Sequence, residues 1–136
     1  MSDRITKGAM LVVDDTEINR SIIRDIFKSD FTVYDAANGI EALELLRGGA
    51  IKFDVVILDI QMPEMDGFAT LTEMRRLGIL DETPVVAMTS EESAINDLNA
   101  IDFGAYDVIS KPFSNVLIKK RVGNVIDGFL YRKSKA

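Results

Sequence analysis

Four short polar strings hold the side chains of this chain that are equipped for chemistry: Asp14-Asp15; Asp59, at the head of Asp59-Ile60-Gln61-Met62-Pro63-Glu64-Met65-Asp66-Gly67; Thr89-Ser90; and Lys111-Pro112. Each follows a short, mostly apolar run, Lys111 after one intervening serine. If those runs are parallel strands alternating with helices, their trailing residues arrive at one edge of one sheet, where open α/β sheets bind ligands. Three carboxylates, a hydroxyl and an ammonium then share one small site. Carboxylates held about 4 Å apart repel by about 4 kcal/mol per pair at an effective dielectric of about 20, so the arrangement calls for a cation. Oxygen ligands without His or Cys suit Mg²⁺ or Mn²⁺, with water completing the octahedron. Once the charge on the equatorial oxygens is neutralised, a carboxylate such as Asp59 can attack phosphorus and leave an acyl phosphate.

Each string also has a purely structural reading. Asp14 and Asp15 fit helix capping, in which the side chain accepts backbone N–H groups. Asp59 fits a strand-end aspartate that organises a loop. Thr89-Ser90-Glu91-Glu92 fits a helix start, with Ser90 as the cap and the glutamates in a favourable first turn. Lys111 fits an exposed lysine ahead of a turn proline. The loop after Asp59 is shaped by Pro63 and Gly67, and Asp66 is placed to cap the next helix.

The elements that must position these residues are legible from periodicity. Met10-Leu11-Val12-Val13, Val55-Val56-Ile57-Leu58, Val85-Val86-Ala87-Met88 and Tyr106-Asp107-Val108-Ile109 read as strands covered on both faces. Phe31-Thr32-Val33-Tyr34-Asp35-Ala36 is more polar and suits the sheet edge. Between them Ile18, Ile22, Ile23, Ile26 and Phe27 recur at helical spacing, then Ile40, Leu43 and Leu46, Phe68, Leu71 and Met74, Ile95, Leu98 and Ile101, and finally Ile118, Val122, Val125 and Phe129. Asn38-Gly39, Gly48-Gly49, Asp66-Gly67, Gly78 and Ser114 punctuate the pattern. Five β-α units follow, an α/β doubly wound domain with helices on both faces.

Composition bounds the function. The 136 residues, 47% apolar, fit a single domain over 1–136 with one core, and no cysteine is present for disulfides, thiolate metal sites or a thiol nucleophile. The chain has no histidine, which excludes a histidine general base, a histidine zinc ligand and an internal phosphohistidine donor. A formal net charge of −6 argues against direct nucleic-acid binding by this domain. No apolar run approaches the roughly 18 residues that span a bilayer, and nothing at the N-terminus resembles a signal peptide, so the expectation is a cytoplasmic protein with no membrane association.

Taken together the four strings resemble the receiver domain of two-component response regulators, a CheY-like superfamily, over roughly residues 8–131; residues 132–136 read as a basic tail or the start of a linker. The resemblance implies a flavodoxin-like (βα)5 fold with strand order 2-1-3-4-5. It also implies that Asp59 is the phosphoacceptor and that Mg²⁺ is held by Asp14, Asp15, Asp59 and the backbone carbonyl of Gln61. Thr89, the backbone N–H of Ser90 and Lys111 would contact the phosphoryl oxygens, and the bond to Pro112 would be cis. Gln61 and Glu91 stand where receivers tune access of the hydrolytic water, and a solvated loop position is the other reading of each. One departure is plain. Receivers commonly carry an aromatic switch residue three positions before the lysine, where this chain has Val108; Tyr106 lies two residues earlier, expected on the same strand side and packed against the fourth helix.

The implied partners are a histidine kinase or histidine phosphotransfer domain as donor and a downstream protein or tethered output domain, with a phosphorylation-dependent dimer as one form of output. The first helix spreads its apolar residues over about 180°, wider than the roughly 100° a packed face needs, with Ile18 and Phe27 at the margins. Ile18 is a candidate donor contact beside the loop of Pro112 and Phe113; a core-edge position is its other reading. Lys119-Lys120-Arg121 and Arg132-Lys133-Ser134-Lys135 read as complements to a helix C-terminus.

Other classes fit less well. A haloacid dehalogenase-type hydrolase would carry a second Asp two residues after the first, but Asp59 is followed by Ile60 and Gln61. The expectation is therefore no enzyme on exogenous substrates. A nucleotide or flavin binder would need a phosphate-cradling loop where Asp14-Asp15-Thr16-Glu17 presents carboxylates. The remaining alternative is a receiver-like interaction module that works without phosphorylation.

Overall fold

The computed structural model describes residues 7–62, 65–90 and 94–135, and of 94–97 the backbone only. Five strands, β1 (Gly8–Val13), β2 (Phe31–Ala36), β3 (Val55–Asp59), β4 (Val85–Ser90) and β5 (Asp107–Lys111), form one parallel sheet of order β2-β1-β3-β4-β5. Between and after them run α1 (Glu17–Phe27), α2 (Gly39–Gly48), α3 (Gly67–Arg76), a short 3-10 turn (Ile79–Asp81), α4 (Ala94–Asp102) and α5 (Asn115–Lys135). This is the flavodoxin-like, CheY-type arrangement.

Alternation along the buried strands divides the core. Met10, Val12, Val55, Ile57, Val86, Met88 and Ile109 pack with Ile23 and Phe27 of α1 and Ile118, Val122 and Val125 of α5. The intervening Leu11, Val13, Val56, Leu58, Val85 and Ala87 face the other way, onto Leu43, Leu71, Met74 and Ala100. Strands buried on both faces can be apolar at every position, and those of β1, β3 and β4 nearly are. The helix starts follow from short polar side chains: Thr16, Asn38 and Asp66 accept the N–H of Asn19, Glu41 and Ala69, and Ser114 that of Leu117. Glu41 reaches back to the Ala37 N–H at 2.9 Å, completing a reciprocal cap on α2.

Several element ends and faces differ from the sequence reading. β3, β4 and β5 run one or two residues further, so Asp59, Thr89, Ser90 and Lys111 are the last residues of strands and not the first of loops. β5 starts at Asp107, which removes Tyr106 from the strand alternation. Tyr106 and Val108 therefore lie on opposite sides: Val108 joins the α2–α3–α4 cluster, while Tyr106 packs edge-on to Phe129 of α5 at 6.0 Å and borders a hollow that Ile101 of α4 also lines. Among the described side chains of α4, from 98 on, the buried one is Ala100, and Leu98, about 200° around the helix from it, is 69% exposed; the side chain of Ile95 lies outside the described residues. Ile101 and Ile40 are likewise exposed, and Phe27, placed at a margin, is 2% exposed and in the core. Residues 132–135 continue α5 as its last turn. Lys119-Lys120-Arg121 lie near the start of α5, where Lys119 and Arg121 pair with Asp30 (3.5 Å) and Asp107 (3.4 Å) rather than complementing a helix C-terminus.

Candidate functional site

The C-terminal ends of β1, β3 and β5 deliver their last polar residues to the same side of the sheet. Asp14 follows Met10 and Val12, Asp59 follows Val55 and Ile57, and Lys111 follows Ile109, each two residues on from a side chain that faces α1 and α5. Asp14, Asp15 and Asp59 each present a carboxylate oxygen within 4.8 Å of the others. Asp14 and Asp59 are buried and Asp15 is exposed, so the cluster opens to solvent on one side. The Lys111 ammonium lies 3.8 Å from one oxygen of Asp14 and 3.8 Å from one of Asp59. Thr89, 2% exposed, and Ser90 are the last two residues of β4, and Ser90 stands in register with Lys111.

The electrostatics follow from that packing. Burial raises the Asp59 carboxyl from 3.8 to about 6; Lys111 and the Gln61 N–H, 3.1 Å from its Oδ1, pull it down, and the neighbouring charges of Asp14 and Asp15 push it up. An oxygen-only cluster of three carboxylates around one gap matches the chemistry of a hard divalent cation. Gln61 is exposed and the Lys111–Pro112 bond is cis. Pro63, Glu64 and Glu91 lie outside the described residues.

Two features escaped the sequence reading. The cap of α1 is Thr16, whereas Asp14 accepts from the Thr16 N–H (3.0 Å) and hydroxyl (3.2 Å) in a tight local turn. Asn19 and Arg20 also reach Asp14, the first donating to its carboxylate and the second to its carbonyl. Contact between Asp14 and residues five and six positions on depends on the angle at which α1 leaves β1, which no sequence spacing encodes. Beside Lys111 a hollow of about 300 Å³ is lined by Ile22, Ile23, Met88, Pro112 and Phe113, and Ile18 is 73% exposed nearby on α1. Larger hollows, of about 450 and 600 Å³, lie away from the carboxylates, by Leu46 and Leu77 and by Tyr106 and Phe129. Among the described residues no helix is long and apolar enough to cross a membrane.

The family model for the response regulator receiver domain matches residues 10–123. Among curated proteins, the chain is 34% identical over 106 residues to the sensor histidine kinase CheAY of Helicobacter pylori, and 32% identical over 125 residues to the probable transcriptional regulator ycf29 of Porphyra purpurea. Those matches cover 77% and 92% of this chain but only 13% and 57% of the relatives, so it spans a part of each. Among solved structures, the chemotaxis protein CheY4 of Vibrio cholerae superposes with a TM-score of 0.80 at 29% identity, covering 88% of this chain and 99% of that one.

Proposed function

Because this chain belongs to the response regulator receiver domain family, a family of regulatory domains that bind Mg²⁺ at an acidic pocket, we propose that it is a phosphoacceptor acting through Asp59. The observation that carries the reading is the meeting of three carboxylates and one ammonium at the sheet edge. Asp14, Asp15, Asp59 and the carbonyl of Gln61 would hold Mg²⁺ or Mn²⁺, which when bound supplies positive charge to the phosphoryl oxygens.

The chain's own residues do the rest. An Asp59 carboxylate oxygen attacks phosphorus; the new O–P bond forms as the P–N bond of a donor phosphohistidine breaks, and the leaving imidazole keeps that electron pair. Lys111 neutralises a phosphoryl oxygen as a point charge, and it already lies beside the attacking group. The Thr89 hydroxyl and the Ser90 N–H donate hydrogen bonds to oxygens of the phosphoryl group carried by Asp59, and Gln61 and Glu91 set how readily water reaches it. The exposed Ile18 and Ile22, with Phe113 across the hollow, form the surface for the donor, a histidine kinase or histidine phosphotransfer domain. Phosphorylation shifts the α4–β5–α5 surface toward a downstream protein or tethered output domain, with dimerisation as one form of output. Residues 1–136 act as one such domain, α5 included, working in the cytoplasm without direct contact to nucleic acid.

Intact mass after incubation with acetyl phosphate or phosphoramidate and Mg²⁺, beside Asp59→Asn and an EDTA control, tests the reading. A gain of about 80 Da that needs both Asp59 and the metal is expected for one phosphoryl group. If there is no adduct, and if beryllofluoride with Mg²⁺ leaves the Thr89 and Lys111 amides unshifted by NMR, the chain is an interaction module that works without phosphorylation.

A further inference from the structure

Asp14 is fully buried, so every lone pair it keeps from a cation must be satisfied by protein. Its Oδ1 accepts from the N–H and hydroxyl of Thr16 and, at 3.4 Å, from the Asn19 amide; its Oδ2 lies 3.2 Å from the same amide and 3.8 Å from Lys111. The Asp14 carbonyl, one residue past the end of β1, accepts from Arg20 Nη1 at 2.7 Å. Arg20 is 14% exposed and spends its other nitrogens on Asp35 (Nε, 3.3 Å) and Glu17 (Nη2, 2.7 Å), while Arg24 bonds the same Asp35 oxygen from the next turn. Asp35 lies in β2, so this fork ties the β1–α1 turn to the sheet.

We propose that Asn19 and Arg20 are positioning residues for the cation site, fixing Asp14 from its carboxylate and its carbonyl end; the inference rests on the reading above, in which Asp14 is a metal ligand. Successive residues point about 100° apart around a helix, so the pair can approach Asp14 from two sides. The donor at each end matches the group it holds. The Asn19 amide can only donate to an ionised carboxylate, and it spans both oxygens. The Arg20 guanidinium spreads three nitrogens, Nε, Nη1 and Nη2, over acceptors on three residues, a span that the single nitrogen of a lysine does not cover. Without Asn19, the Lys111 ammonium at 3.8 Å is left as the donor facing Oδ2, and the carboxylate turns toward it and away from the gap it shares with Asp15 and Asp59. Partners of metal ligands of this kind typically change metal affinity by 10–100-fold when removed.

The test uses the full chain and Mg²⁺ itself. Mg²⁺ dissociation constants are measured by NMR titration for the parent, Asn19→Ala, Arg20→Ala and Arg20→Lys, with thermal unfolding in EDTA alongside. Autophosphorylation by phosphoramidate is then followed as a function of Mg²⁺ concentration. Asn19→Ala should unfold within a few degrees of the parent and bind Mg²⁺ about tenfold more weakly. Its half-saturating Mg²⁺ should rise by a similar factor, with the maximal rate kept within twofold. Arg20→Lys should bind more tightly than Arg20→Ala and less tightly than the parent. A dissociation constant for Asn19→Ala within twofold of the parent would overturn the proposal, as would a lowered maximal rate at unchanged Mg²⁺ dependence. If the parent itself binds no Mg²⁺, the metal reading of Asp14 falls and the positioning role falls with it.

Discussion

Lys111 and Asp59 face each other at 3.8 Å across the end of the sheet, the ammonium one-third exposed and the carboxylate nearly covered. The pairing is incomplete compensation. Burial outweighs the lysine, and the Asp59 carboxyl sits at about 6 instead of 3.8. Removing the ammonium with Lys111→Met withdraws a cause that lowers this pKa, so Asp59 in the metal-free protein should titrate above about 6. Carbon-13 NMR of the Asp59 carboxyl in EDTA reads the shift directly. An unmoved midpoint would mean that the lysine does not act on Asp59.

The raised pKa makes Asp59 a stability liability near neutral pH. Between its unfolded and folded values, 3.8 and about 6, the folded state binds more protons than the unfolded one, so stability falls as pH rises through that window and stays lowered above it. With about 1.36 kcal/mol per pKa unit, the loss is at most about 3 kcal/mol. Asp59→Asn in EDTA should therefore be more stable than the parent at pH 8, by about 1–3 kcal/mol, with the gain vanishing below pH 3.8. Urea unfolding at both pH values measures it. A gain that persists at low pH would point to packing and not charge.

Gly67 fixes the start of α3 against the acceptor strand. A Cβ there would stand 2.5 Å from Ile60 Cα and 2.8 Å from the Asp59 carbonyl oxygen, both backbone atoms that cannot swing aside. Gly67→Ala must push the β3–α3 connection off the end of β3, where the Gly67 N–H also donates to the Ile60 carbonyl at 3.0 Å. We expect a loss of about 1–3 kcal/mol in urea unfolding, typical of overpacking, with slower phosphorylation of Asp59 at saturating Mg²⁺. Asp66→Ala, which removes only the cap on Ala69, should cost about 1 kcal/mol and leave that rate unchanged. Equal rate losses in the two variants would show that the chemistry responds to α3 stability alone.

The sheet and the polar residues at its edge are legible in the sequence because the strands are buried on both faces, which leaves little besides apolar residues until that edge is reached, although β3, β4 and β5 run one or two residues past the apolar runs. Asp14, Asp59, Thr89 and Lys111 each stand at that change. Helix faces were less readable where small residues do the packing. Among the described side chains of α4 the buried one is Ala100, yet spacing alone favours Leu98 and Ile101, which face outward. Tyr106 was misplaced for a similar reason: alternation extends only as far as the strand does, and β5 begins one residue later. Asn19 and Arg20 carried no signal, since an Asn-Arg pair on a polar helix face is ordinary until the turn before it brings Asp14 within reach.

The aromatic position tests what kind of switch this chain uses. Val108 is half-buried on the α4 side of β5, too small to swing between two sites as a ring would. Tyr106 is held on the opposite side, with Phe129 at 6.0 Å and the Arg132 guanidinium 5.3 Å from its ring centroid. Its hydroxyl would lie 2.8 Å from any Cβ at position 128, where glycine leaves room for it. Among the described residues the ring contacts of Tyr106 are with α5, on the face of the sheet away from Val108. Tyr106→Leu should therefore cost about 1–2 kcal/mol of stability through lost aromatic packing, while Asp59 phosphorylation and the beryllofluoride-induced shifts of the Thr89 region stay as in the parent. Ring resonances of Tyr106 followed by NMR should remain in place when beryllofluoride is added. A large shift confined to that ring would mean that Tyr106 has taken over the switching role from position 108.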